Sequence, residues 1–325
     1  MFYRRRMTQF QAPTADIPVP QAQGDGAPLG HIDVAAVRAT LERDGALLLR
    51  GFATTLNSFG DLTAALCSSS VFNESPHRDL LDKRSGVQTV NKGGDPFPLH
   101  PELSREPWRP DVCMFACLGA PGVGGQTNVC DGIAVVEGLS SSLRAEVEDR
   151  KLIYIQRALP EVLKFWLGTE TPSDEQLTNP PASSPYQFRR AQGGVLRVFT
   201  RPVFEQTAFQ DKPAWANFLL FARDYLRKRN IPLLEGVGEF PDEWLDEIRQ
   251  VTRRHTYAHR WQTGDVLVVD NSRFMHGRRA IADAEERRIA TSFGYLKGIE
   301  RRPGEPENPP WRTGRFIPPG AAEEA

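Results

Sequence analysis

The sequence predicts a mainly β protein with helical decoration, an α+β chain built on a β-sandwich or jelly roll. Three observations lead there. Short apolar, β-branched runs bounded by Gly, Pro or Asp recur along the chain. Helical periodicity is confined to the start and to one long stretch in the middle. The 325 residues, two-fifths hydrophobic and a quarter charged, suit one large all-β unit with a real core.

Residues 1–28 read as a flexible arm, with Pro13, Pro18, Pro20, Gly24 and Gly26 and few large apolar groups. Asp33 can cap a helix that carries Val34, Val37 and Leu41 on one face, and Gly45 stops it. Residues 46–50 follow as a short buried strand. Residues 112–118 and 195–199 are two further strands. A serine at or near Ser140 can cap a helix through Leu143 and Val147. Residues 215–229 suit an amphipathic helix, and Pro241 opens another with Trp244, Ile248 and Val251 at helical spacing. The strongest strand is 264–270, a Gly-Asp turn feeding Val-Leu-Val-Val, and the last is 289–296. The expected division is therefore an arm (1–28), a catalytic unit (29–300) with a helical insertion at about 136–260, and a Pro/Gly-rich tail (301–325). Trp311 and Phe316 give part of that tail a reason to pack.

The net charge of −1 offers nothing to nucleic acid or to an anionic membrane. No apolar run approaches a membrane span, and the basic start is not followed by a signal-length apolar stretch. A soluble, cytoplasmic protein is expected. Cys67, Cys113, Cys117 and Cys130 form no CxxC pair and read as buried, reduced thiols. The oligomeric state is not written in the sequence.

Of six histidines, two stand where chemistry would want them. On a strand, His100 and Glu102 point to the same face and can offer an imidazole nitrogen and a carboxylate oxygen to one point. His276 lies past the strongest strand, in Phe274-Met275-His276-Gly277. Two His and one carboxylate leave three open positions on an ion, the arrangement of non-haem Fe(II) oxygenases: two for a 2-oxo acid and one for O2. The three ligands alone leave zinc open. A dicarboxylic 2-oxo acid also needs a cation for its far end. In Arg287-Arg288-Ile289, one arginine of a strand would point inward and the other out. His255 and His259 lie in a basic segment and read as a solvated face.

These residues fall into two blocks. Leu99-His100-Pro101-Glu102, Pro121 through Thr127, and Asp131-Gly132 form the first; Trp261-Gln262-Thr263-Gly264-Asp265, Asp270-Asn271 and His276-Gly277-Arg278-Arg279 form the second. Together they resemble the taurine dioxygenase/clavaminate synthase-like family of Fe(II)/2-oxoglutarate-dependent dioxygenases over about residues 33–297. The resemblance implies a double-stranded β-helix, iron on His100, Glu102 and His276, and 2-oxoglutarate held by Thr127 and by Arg288, with Arg287 the less favoured neighbour. Trp215-Ala216-Asn217 looks like a Trp-Phe-Asn segment of members from peptide natural-product biosynthesis, which implies an amino-acid substrate, free or carrier-bound. Ser292 stands where taurine dioxygenase has a second arginine, which argues against a sulfonate. Glu102 stands where halogenating relatives have a small residue, which argues against halogenation.

The expected activity is hydroxylation of an unactivated carbon coupled to decarboxylation of 2-oxoglutarate, with desaturation or cyclisation open to the same site. Asn217, Arg201 and Arg273 are the candidate substrate contacts. The rival readings are a zinc-dependent hydrolase and a non-catalytic metal-binding jelly-roll protein.

Overall fold

The apolar runs at Val112–Gly119, Val266–Asp270 and Arg288–Leu296 are buried on both faces, so they form the middle of a sheet. The structure is a computed structural model, which describes residues 8–73, 75–314, 316 and 318–319. Its larger sheet has eight strands among the described residues. Gln21–Gln23 lies parallel to Ala46–Arg50, followed by Val266–Asp270, Val112–Gly119, Arg288–Leu296, Val87–Thr89 and Leu80–Asp82. Cys67–Val71 also pairs with Arg288–Leu296. A smaller sheet runs Thr256–His259, Thr127–Asp131, Phe274–Arg278, Phe97–His100. All four of its strands are antiparallel to their neighbours.

The two sheets close on one core. Phe115, Leu267, Val269, Ile289 and Phe293 from the larger meet Val129 and Phe274 from the smaller. The opposite face of the larger sheet is covered by two helices, Val34–Asp44 and Leu56–Leu66, whose Val37, Leu41, Phe59 and Leu62 pack on Leu47, Leu49, Met114 and Val268. Each such side chain contributes about 1.5–3 kcal/mol when fully buried. This is the jelly roll that the strand pattern predicts. Asp33 caps the first helix through the amides of Ala35 and Ala36, and Gly45 ends it at φ +76°.

Three expectations need correction. The insertion at 136–260 is not purely helical. Beside Ser141–Val147, Pro160–Leu167 and Asp242–Arg254 it carries its own antiparallel sheet, ordered Gln187–Ala191, Gly194–Pro202, Lys151–Arg157, Leu233–Leu234. Its hairpin turns at Gln192-Gly193, where Gly193 takes φ +81°. The helix expected over 215–229 shrinks to Leu219–Asp224. Trp215 and Asn217 are fully buried; the Trp215 amide donates to Gly132 O, and Asn217 Oδ1 accepts from the Leu219 amide. A segment buried on every side has no exposed face to make it amphipathic. Finally, the terminal segments are fastened down where they are described. Val19 and Ala22 are buried, Trp311 packs edge-on against Trp166, and the Arg312 guanidinium spans both oxygens of Asp111 at 2.9 Å.

Candidate metal centre

Strand geometry brings the three chemically suited residues together. His276 sits mid-strand in Phe274–Arg278, directly opposite His100, the last residue of Phe97–His100. Their rings lie 4.7 Å apart. The chain turns after His100 and sets the Glu102 carboxylate 3.7 Å from His276 Nε2. That is too long for a hydrogen bond, whereas two donors each about 2.1 Å from one ion stand about 3 Å apart. One donor atom from each of the three residues lies within 4.8 Å of the others, and no other such group of His, Cys, Asp or Glu occurs among the described residues. The donor set fits a divalent ion with open positions, as the sequence suggests.

The surroundings ready each donor. His100 Nδ1 lies 2.9 Å from Pro98 O, so that nitrogen carries the proton and Nε2 keeps its lone pair. Burial, and then the neighbouring His276, push the His100 pKa down to about 4, so the ring is neutral near pH 7. Burial alone would raise the Glu102 pKa; the Arg78 guanidinium and the two imidazoles outweigh it and hold this carboxyl far below the carboxylate range. Asn73 Nδ2 donates to Glu102 Oε1, and Arg78 Nη2 donates to Oε2 at 3.3 Å. Asn271 fixes the backbone: its Oδ1 accepts from the Glu102 amide at 2.8 Å, and its Nδ2 donates to Glu102 O and Pro110 O.

A cavity of about 200 Å³ opens over this trio. Phe115, Phe218, Phe221 and Trp108 form much of its wall, and Phe221 stacks 4.8 Å from His100. Thr127 and Arg287 line it as well. Thr127 Oγ1 accepts from Trp261 Nε1 at 3.1 Å and from Arg287 Nη2 at 3.3 Å; Arg287 Nε donates to Gly125 O. Arg287 is 9% exposed and has no acidic partner among the described residues. Burial, and then repulsion from Arg278, push its pKa down to about 10. A buried guanidinium in that state is suited to an anionic partner.

The arginine preference reverses. Arg288 begins its strand exposed, with its guanidinium turned to Leu118 O, and Arg287 is the inward one. The sequence leaves this choice open because the strand starts at Arg288, and parity cannot be counted before a strand has begun. The same one-residue shift moves the position compared with the second taurine-dioxygenase arginine from Ser292 to Thr291, a buried hydroxyl bonded to Met114 O.

None of the three candidate substrate contacts reaches the cavity. Asn217 spends its amide on Val203 O and the Leu219 amide. Arg201 is held by Glu205 and by Glu106 O. Arg273 clasps Asp131 at 2.9 and 2.6 Å. In each case a buried arginine or amide found a partner within the scaffold. His259 is not on a solvated face either: it is fully buried between Tyr257 and Asp265. The residues that sequence reasoning missed are Asn73, Arg78 and Asn91. They come from loops without periodicity, and no pattern in the sequence singles out that stretch.

The family described as taurine catabolism dioxygenase TauD, TfdA family matches residues 9–292. A clavaminate synthase-like protein of Arabidopsis thaliana is 24% identical over 296 residues, covering 82% of this chain and 87% of its own. The dapdiamide synthesis protein DdaC of Enterobacter agglomerans is 24% identical over 292 residues, covering 81% and 86%. Among solved structures, a taurine dioxygenase from Burkholderia xenovorans superposes with a TM-score of 0.60 at 18% identity, over 92% of this chain and 93% of its own. PvcB, an Fe, alpha-ketoglutarate dependent oxygenase from an isonitrile synthetic pathway, superposes with a TM-score of 0.58 at 16% identity, over 90% and 93%. At these identities the structural likenesses establish the fold.

Proposed function

The chain belongs to the TauD/TfdA dioxygenase family, and from that premise we propose that it is an Fe(II)- and 2-oxoglutarate-dependent oxygenase that hydroxylates an amino acid or close derivative in a biosynthetic pathway. The observation that carries this reading is Arg287, a buried cation with no acidic partner among the described residues, placed with Thr127 in the same cavity as the His100, Glu102 and His276 donors.

When bound, ferrous iron would activate dioxygen, the oxidant: 2-oxoglutarate would supply two electrons and accept one oxygen atom as it leaves as succinate and carbon dioxide, and the substrate C–H bond would supply the other two electrons and take the second oxygen atom. The chain's own part is positional. Arg287 and Thr127 would hold the far carboxylate of the keto acid, His100 and His276 would each offer an imidazole nitrogen, and Glu102 its carboxylate. Phe115, Phe218 and Phe221 keep water from the reacting carbon. DdaC, named for dapdiamide synthesis, and PvcB, from an isonitrile pathway, support a biosynthetic substrate.

The test is anaerobic reconstitution with Fe(II), followed by succinate release on admitting oxygen across free and carrier-tethered amino acids. Substrate-stimulated succinate is expected. Zinc retained through purification with no succinate formed would defeat the reading. If succinate forms but no amino acid raises it above the uncoupled level, the amino-acid assignment fails.

A further inference from the structure

Arg78 is a second buried cation in the cavity, and the scaffold does not satisfy it. Its side chain is 8% exposed. Nε donates to Asn91 Oδ1 at 2.7 Å, Nη2 reaches Glu102 Oε2 only at 3.3 Å, and Nη1 is buried with no hydrogen-bond partner among the described residues. Its one acidic partner among the described residues, Glu102, is also the carboxylate that an ion at the His–Glu–His trio would draw upon. The other arginines of the wall differ. Arg278 gives its donors to the Asn91 and Asp95 carbonyls, Arg105 stands beside Glu106, and Arg287 faces Thr127. Arg78 alone combines burial, a place next to the metal donors and an idle donor. The same cavity is also lined by the apolar side chains of Phe72, Val90, Phe97, Leu103 and Phe221.

We infer that Arg78 anchors the free carboxylate of the substrate, and that the substrate is an acid with an apolar body. This deepens the oxygenase reading and rests on it. It also decides between the two substrate forms. An apolar amino acid loaded on a carrier protein through its carboxyl is a thioester and has lost that carboxylate, so it would leave Arg78 Nη1 without an anionic acceptor. A free acid satisfies Nη1 and places the carbons next to its carboxylate over the metal donors. Asn91 and the aromatic face of Phe293, 5.2 Å below the guanidinium, hold Arg78 in position for this.

The experiment is calorimetric binding to the anaerobic protein loaded with Fe(II) and 2-oxoglutarate. Its ligands are a panel of apolar amino acids, the matching carboxamides and the matching N-acetylcysteamine thioesters. The expected result is that at least one free acid binds about thirty-fold or more tightly than its amide and thioester. Arg78→Met should erase that preference and Arg78→Lys should restore part of it. Fe(II) and 2-oxoglutarate titrations of both variants run alongside. The inference is overturned if no acid outbinds its amide, if thioesters bind best, or if the preference survives in Arg78→Met. It is equally overturned if Arg78→Met weakens 2-oxoglutarate as much as the acid, which would give Arg78 to the co-substrate. Failure of the oxygenase reading shows separately, as a wild-type protein that takes up no 2-oxoglutarate.

Discussion

At the scale of single residues, the two adjacent arginines give the sharpest contrast. Arg287→Met removes a buried cation facing the cavity, and Arg288→Met removes an exposed one. Losing one side of a buried charge pair costs about 2–5 kcal/mol. The KM for 2-oxoglutarate should therefore rise on the order of thirty-fold or more in Arg287→Met and stay within about two-fold in Arg288→Met, measured by succinate release. Equal effects would mean that the inward arginine is misassigned. Asn271 provides a second case. It touches no candidate donor atom, yet it holds the Glu102 amide and carbonyl. Asn271→Ala should weaken Fe(II) affinity and lower stability by about 1–3 kcal/mol, because buried backbone groups lose their partners. The donor trio was legible because metal chemistry restricts residue type and strands fix spacing. The Asn73 and Arg78 contacts to Glu102 were not, since they depend on where an irregular loop comes to rest.

At the scale of elements, the metal donors depend on how closely two strands approach. Gly277 lies opposite Phe97 and Pro98, and a Cβ there would fall 2.7 Å from Phe97 O. Gly277→Ala must push the Phe97–His100 strand outward and carry His100 away from His276. Fe(II) binding is expected to weaken at least ten-fold while the melting temperature shifts little; unchanged binding would show that the strand yields freely. The turn before Val266–Asp270 is pinned by Asp265, which takes Arg50 Nη2 at 2.7 Å and His259 Nε2 at 3.1 Å. Burial would raise the pKa of Asp265, but these two partners outweigh it and the folded value is lowered. The stabilisation is therefore present above the unfolded pKa of about 4 and is lost as pH falls below it. Asp265→Asn should flatten that acid limb in denaturant titrations across pH 3–6, and an unaltered limb would assign it to other carboxylates. The strand runs here were legible from their β-branched composition. The hairpin of the insertion was passed over although Gly193 marks its turn, because Gln187–Ala191 is largely exposed and lacks an apolar pattern.

At the scale of the whole molecule, the tail closes the sandwich. Trp311 is 2% exposed among Trp166 and Phe316, and Pro318 reaches the cavity wall. Trp311→Ala should cost about 3–5 kcal/mol of stability, read as a drop in urea midpoint. A change below about 1 kcal/mol would mean that the tail rests on the surface. Trp311 and Phe316 made this packing legible in the sequence, while the prolines and glycines around them gave no sign of which surface the tail would meet. The cross-strand pairing of His100 with His276 carries one more consequence. During synthesis, His100 and Glu102 leave the ribosome long before His276 does, and the third donor arrives only when the smaller sheet can close. A nascent chain halted before that point would hold two donors and no pocket. The three donors therefore meet only after residue 276 has been made and has paired with residue 100.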